Sequence, residues 1–215
     1  MACAAAQPHS HSDCLSRLLD AAFEVFCESG YSASIDAVAK HAGVARQTIY
    51  NNFSGKEALF SAAMEAGVRE LFDGLENGEG DCCERLVRFS LHFRARVFSP
   101  QLMKFRRLML AEAVRFPELA QSFYASTALL CRRNMAQLLV RAMQDGFLRN
   151  EDPEEAAHIF MSLVLGADDD LILYAAGQPD PADEECKVHR AIELFLRMYE
   201  LPGGACATAS SDCSN

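Results

Sequence analysis

The sequence predicts an all-α fold arranged as two domains, and three observations lead there. Half of the 215 residues are apolar, and good helix formers such as Ala, Leu, Glu, Arg and Met dominate. Apolar positions recur three and four apart over long stretches, the period of a helix with one buried face. Proline stands near the start of several such stretches (Pro100, Pro117, Pro153, Pro181), where the N–H it lacks would have had no helical partner. The length allows one large or two small domains with ample chain for a core.

The elements follow in order. Residues 1–11 are small and polar and are expected to be disordered. A first helix over 12–29 carries the stripe Leu15, Leu18, Leu19, Ala22, Val25 and Phe26. In SIDAVAKHA a second helix turns Ile35, Val38 and Ala39 inward, and Gly43 supplies the left-handed turn that ends it. A short third helix puts Val44, Ile49 and Tyr50 inside and leaves Arg46, Gln47, Thr48 and Asn51 outside. Ser54, with Glu57 three residues later, predicts a capping box opening a fourth helix that runs to about residue 75. The Gly-rich run at 77–81 reads as a linker with no strand before it, so it is no dinucleotide fingerprint. Five further helices are expected over 84–98, 100–116, 117–146, 153–176 and 181–200, and a polar, disordered tail over 202–215. The domain boundaries are then 12–60 for the first (its fourth helix continuing to about 75) and 76–201 for the second.

Two short helices joined by a tight Gly turn, the second with a polar and basic outer face, form the unit that lays a recognition helix in the major groove of DNA. The net charge of −10 runs against that reading. Residues 1–60 hold four basic groups against six acids, a net of −2, yet Ala37 to Lys56 contains three basic groups and no acid. A locally positive face on an acidic protein predicts modest affinity per module, raised by dimerisation, and weak non-specific binding.

The string A-x-x-A-G-V-x-x-x-T-I-Y-x-x-F-x-x-K-E-x-L-F, Ala39 to Phe60, resembles the DNA-binding domain of the TetR/AcrR family of bacterial transcriptional repressors. It departs from that pattern in a turn one residue shorter after Tyr31, in Ala45 for the usual Ser or Thr, in Gln47 for Gly or Ala, and in Asn52 for His or Tyr. The resemblance implies a homeodomain-like three-helix domain in which Arg46, Gln47, Thr48 and Asn51 face base edges or the adjacent backbone. Ser34, Tyr50, Asn52 and Lys56 would contact phosphates of a pseudo-palindromic double-stranded DNA operator. The run RRLMLAEAVRFPELAQSFY, Arg106 to Tyr124, with DPEEAAHIF, Asp152 to Phe160, is similar to the C-terminal domain of the AefR-like subgroup. That likeness implies a helical domain that binds a small effector and forms a homodimer through its last two long helices.

Phe89, Phe93, Met103, Phe123, Met135 and Phe160 lie on apolar faces of several of those helices, either as ordinary core or as lining for an effector. His92 and Arg107 are the polar groups, with Glu112, expected nearest such a pocket. The effector would be apolar or amphipathic. Asp168, Asp169 and Asp170 follow Gly166 directly, and three consecutive helical positions span too much of the circumference to share one wet stripe. One is expected to face protein, with Arg190 and Arg197 as candidate partners. The alternative is a helix break at Gly166 that releases all three to water.

Nine cysteines form no C-x-x-C pair and no zinc spacing, so neither a metal site nor a disulfide framework is expected, and no cofactor. Cys27 and Cys131 read as small core hydrophobes. The vicinal Cys82–Cys83 pair leaves open a redox-responsive regulator. A helical ligand-binding protein or enzyme without DNA binding is the remaining alternative. No catalytic motif is present, so no catalytic residues are assigned. Without a signal peptide or a span-length apolar run, a cytoplasmic protein with no membrane partner is expected.

Overall fold

The structure, a computed structural model, describes residues 11–76 and 81–201; the expected disorder at 1–10 and 202–215 and the linker at 77–80 lie outside the described residues. The chain divides into two compact units, one ending at Gly67 and the other starting at Val68, so the division falls inside a helix. Every regular element among the described residues is helical, apart from one antiparallel bridge between Leu148 and Glu200.

The first unit contains α1 (His11–Ser29), a 3-10 turn (Gly30–Ser32), α2 (Ile35–Ala42), α3 (Arg46–Asn52) and the start of α4 (Lys56–Glu76). The α1 stripe is buried as its period requires, with Leu18, Ala22 and Phe26 at 1%, 0% and 0% exposure. Phe26 meets Phe60 of α4 edge-on at 5.2 Å, and Tyr31 closes on Phe60 at 5.3 Å. Ser34 caps α2 by accepting the Ala37 N–H at 3.1 Å. Gly43 ends that helix at φ 66°, ψ 31°, where its N–H reaches the Ala39 and Lys40 carbonyls. A side chain with a Cβ would be strained there although nothing crowds the position. Val38 at 0% and Ile49 at 1% plug the angle between α2 and α3.

The second unit contains the C-terminal part of α4, α5 (Cys82–Val97), α6 (Pro100–Glu112), α7 (Pro117–Tyr124), α8 (Leu130–Gln144), α9 (Pro153–Leu165), α10 (Asp169–Tyr174) and α11 (Glu184–Tyr199). A capping box that the sequence reading missed opens α5: Asp81 accepts the Glu84 N–H at 2.8 Å while Glu84 accepts the Asp81 N–H at 3.1 Å. The expected helix over 117–146 is interrupted by a π-helical turn, Ala125–Leu129, between α7 and α8. Helices α5, α8, α9 and α11 pack around Leu86, Phe89, Met135, Leu139, Phe160, Ile192 and Phe195. Phe160 is fully buried, with the Phe195 ring edge-on at 5.1 Å.

The expected helix over 153–176 breaks at Gly166, which takes φ 59°, ψ −156°, a conformation in effect reserved for glycine. A 3-10 turn, Gly166–Asp168, then leads into α10. The break does not release all three aspartates. Only Asp170 is exposed; Asp168 pairs with Arg94 at 2.5 Å and Lys187 at 3.0 Å, and Asp169 with Arg106 at 2.9 Å. The partners expected from the last helix are therefore corrected: Arg190 and Arg197 both pair with Glu193, one turn away along α11. Local i,i+3 and i,i+4 neighbours win because they need no tertiary approach.

Arg94 is the hub of this region. Its side chain is 2% exposed, and its Nε and Nη2 donate to both oxygens of Glu184 at 2.7 and 2.6 Å. Its Nη1 donates to the Val164 and Leu165 carbonyls at 2.7 and 3.1 Å, the end of α9 that has lost its own helical partners. One guanidinium thus ties α5, the α9 terminus, the Asp168 turn and the start of α11.

Candidate nucleic-acid interface

Residues four apart on α3 stack above one another, and that spacing assembles its outer face. Arg46 Nη2 donates to the Tyr50 hydroxyl at 3.2 Å, with the guanidinium 5.4 Å from the ring centroid. In the adjacent row, Gln47 Nε2 donates to Asn51 Oδ1 at 2.9 Å. All four side chains are exposed, so Arg46–Tyr50 and Gln47–Asn51 form two parallel polar rows. Tyr50 was expected to point inward and does not: it is 43% exposed. Ile49 is the buried residue of α3, and Tyr50, next to it in the chain, stands outward within hydrogen-bond reach of Arg46.

The other expected contacts are placed less uniformly. Ser34 is exposed with its hydroxyl engaged as the α2 cap. Thr48 is half-buried, and its carbonyl accepts Asn52 Nδ2 at 2.7 Å, which folds Asn52 back along the helix. Lys56 is half-buried at the start of α4, its ammonium 4.4 Å from the Tyr31 ring centroid, and burial lowers its pKa from the ordinary value.

Two acids near this face were not anticipated. Asp36 stands one residue before the acid-free window of 37–56, and α2 folds it back so that its Oδ2 accepts Arg46 Nη1 at 3.1 Å. On α1, Glu24 accepts the His41 Nε2–H at 2.7 Å. A count along the chain cannot show either pair, since α2 and α1 deliver the acids from outside the window.

The first turn of α3 carries a second peculiarity. Ala45 occupies the N-cap position at φ −71°, ψ 144° with no side-chain bond to the free N–H groups. Ala45→Ser supplies that bond without changing the backbone and should raise stability by about 1 kcal/mol. Urea unfolding of both proteins checks this; an unchanged or lower midpoint would show that the cap geometry is not available.

In the second unit, the expected effector residues do not form one group. Phe89, Phe93, Met135 and Phe160 share the main core, with Phe89 5.6 Å from Phe93 and 6.3 Å from Phe160. Met103 packs apart from them against Phe98, and Phe123 is half-buried edge-on to Phe105. His92 is exposed on α5, away from these apolar contacts, because it falls one residue before the inward Phe93. Arg107 is half-buried, but it is its neighbour Arg106 that reaches across to α10.

Cys27 and Cys131 are buried, and burial pushes the Cys131 thiol up to about 12. Cys82 is a free thiol, raised by burial against the smaller opposing pull of Arg85. A thiol held protonated is a poor nucleophile. Cys83 and Cys186 are disulfide-bonded, contrary to the expectation of unpaired thiols. Sequence spacing carries no information on which sulfurs the packing brings together. Among the described residues no helix is long and apolar enough to cross a membrane, and no group of three or more His, Cys, Asp or Glu is arranged to hold a metal.

Comparison with known proteins gives a consistent result. The family model for the C-terminal domain of AefR-like transcriptional repressors matches residues 84–201, and that for bacterial regulatory proteins of the tetR family matches residues 18–63. The HTH-type transcriptional regulator YvkB of Bacillus subtilis is 27% identical over 155 residues, 70% of this chain and 78% of that protein. SrpR, an HTH-type transcriptional regulator of Pseudomonas putida, is 28% identical over 154 residues, 70% of this chain and 71% of its own. Among solved structures, the flavonoid-responsive regulator FrrA is 31% identical, with a TM-score of 0.62 over 88% of this chain and 98% of its own. A TetR-family regulator from Mesorhizobium loti shares the fold at a TM-score of 0.69 and 22% identity, over 90% of this chain and all of its own, 100%.

Proposed function

Since the chain belongs to the tetR family and is a helix-turn-helix transcriptional regulator, we propose that it is a repressor that a small apolar or amphipathic effector releases from its operator. The observation that carries the DNA half is the outer face of α3, where the Arg46–Tyr50 and Gln47–Asn51 rows stand exposed side by side. Arg and the amide side chains are the groups that read guanine and adenine edges bidentately in the major groove. Phosphate contacts from Ser34, Tyr50, Asn52 and Lys56 would set the register of the helix without reading sequence.

The second unit binds the effector and forms the homodimer in this reading, with α9, α10 and α11 of two copies at the seam. A two-fold axis places two recognition helices on half-sites a DNA turn or more apart, which fits a pseudo-palindrome. Release requires the effector to prefer a conformation in which those helices no longer match successive grooves; equal affinity for both states shifts nothing. FrrA is by name flavonoid-responsive, which supports a small-molecule signal for a relative of this identity. Regulators of this family are not normally enzymes, and no reaction is proposed.

The test is a gel-shift titration of the full chain on its own promoter fragment at several salt concentrations. Wild type should form a discrete complex, and Lys56→Ala should weaken binding to every sequence alike. It should also shallow the salt dependence by about one phosphate per subunit. A chain that never shifts its promoter, or a Lys56→Ala protein with an unchanged salt slope, would overturn the respective part of the reading.

A further inference from the structure

Asp36 sits in the first turn of α2, where an acid favours the helix by offsetting the partial positive charge of its N-terminal end. That accounts for an aspartate at this position but not for where its side chain goes. Its Oδ2 accepts Arg46 Nη1 at 3.1 Å, 10 positions along the chain and on the helix proposed to read DNA. The Tyr50 hydroxyl accepts the other terminal nitrogen, Nη2, at 3.2 Å, and its ring centroid lies 5.4 Å from the guanidinium carbon. Arg46 is thereby held at both ends of its fork, from α2 on one side and from one turn along α3 on the other.

An ion pair between two exposed side chains, as here, adds little to stability. Its effect on recognition is larger and takes two routes. Arginine has more N–H groups than two acceptors occupy, and Nε–H is engaged by neither Asp36 nor Tyr50, so donors remain for a base edge. A guanidinium already fixed loses less rotamer freedom on meeting guanine O6 and N7 than one that swings freely. Asp36 also brings a negative charge onto a stretch, Ala37 to Lys56, that holds Lys40, Arg46 and Lys56 and no acid of its own. A carboxylate there repels the phosphates of every sequence, and only a site that gives Arg46 its guanine offsets the repulsion.

We propose that Asp36 is a specificity-determining residue of the DNA-reading face: it holds Arg46 in the pose that meets guanine and penalises sites that lack that guanine. Asp36 itself touches no base; it acts through Arg46 and through repulsion of phosphates. This deepens the α3 reading above and rests on it, assigning part of the choice of base to a residue of α2. Removing the carboxylate raises affinity for DNA in general and lowers the preference for the operator. A role confined to the α2 terminus would move neither.

Binding-site selection with the full chain from a randomised double-stranded DNA pool supplies the probe. Titrations then use the selected duplex, its single-base variants and an unrelated duplex of the same length. Wild type should select a guanine in each half-site that Arg46→Ala no longer selects. Asp36→Asn, at an exposed position and with wild-type circular dichroism, should cut the preference for that guanine about fivefold, part of the tenfold or more that a bidentate contact supplies. It should also bind the unrelated duplex about threefold more tightly. In an Arg46→Ala background the same substitution should leave the base profile unchanged and keep the gain on unrelated DNA. The proposal is overturned by a guanine preference that survives Asp36→Asn intact, by unrelated DNA bound no more tightly, or by a base other than guanine at the Arg46 position. A base profile that Asp36→Asn still alters without Arg46 overturns it too. If wild type selects no sequence at all, the α3 reading falls and takes this inference with it, whereas the other results overturn the inference alone.

Discussion

Arg94→Met should destabilise the protein by about 3–5 kcal/mol, the cost of removing one member of a buried ion cluster and leaving the others unpaired. The methionine fills much of the same volume, so the loss is not a cavity effect. It leaves Glu184, Asp168 and the Val164 and Leu165 carbonyls without the guanidinium that now satisfies them. Urea unfolding followed by circular dichroism, at one fixed protein concentration because assembly contributes, measures the change. A loss below about 1 kcal/mol would mean that water or Lys187 takes over.

The pH dependence gives a second readout of the same cluster. Burial alone would raise the Asp168 pKa, but hydrogen bonds from Arg94 and Lys187 outweigh it and hold the carboxyl below its ordinary 3.8. A depressed acid contributes stability that is complete above its unfolded pKa and is lost as the pH falls through the folded one. The gap between wild type and Arg94→Met should therefore narrow below about pH 4 and hold steady above it. A gap that is the same at every acidic pH would remove Asp168 from the account.

Arg46→Ala should weaken operator binding by about tenfold to a hundredfold per half-site and relax base preference at one position in each. In the unbound protein Arg46 is held by Asp36 and Tyr50, so contact with DNA must break or share the Asp36 pair. Asp36→Asn should accordingly move the other way, tightening binding and steepening its salt dependence, because an acid beside the phosphates is removed. Binding titrations on the operator and on single-base variants of it decide both. If Arg46→Ala binds all of them like wild type, α3 is a structural corner.

These two sites differ in how far the sequence could reveal them. The helix-turn-helix was legible because its determinants are local. The stripe of Ile35, Val38 and Ala39, the turn at Gly43 and the outward rows of α3 all lie within a few turns of one another. Phe89, Met135 and Phe160 sit at the inward positions that their helical periods assign, whether as core or as effector lining. Tyr50 stands outward beside Arg46, a neighbour that apolar periodicity does not register. Apolar periodicity finds inward positions but does not say which of several clusters each joins: Phe89 and Met135 enter the main core, Met103 packs with Phe98.

By itself, then, the sequence determined an all-helical chain, a recognition unit at its N-terminal end and the order of the helices that follow. Periodicity, capping and glycine stereochemistry act over one or two turns and leave their record in consecutive residues. Tertiary structure alone decided which charges meet. Arg94 finds Glu184 ninety positions away, Arg106 finds Asp169 sixty-three away, and Asp36 closes onto Arg46 from the neighbouring helix. Even the break at Gly166, foreseen as an alternative, did not fix the fate of the aspartates beside it. Charge interactions fall off with distance and are settled by whatever cation the packing delivers within hydrogen-bond reach, and no spacing along the chain encodes that.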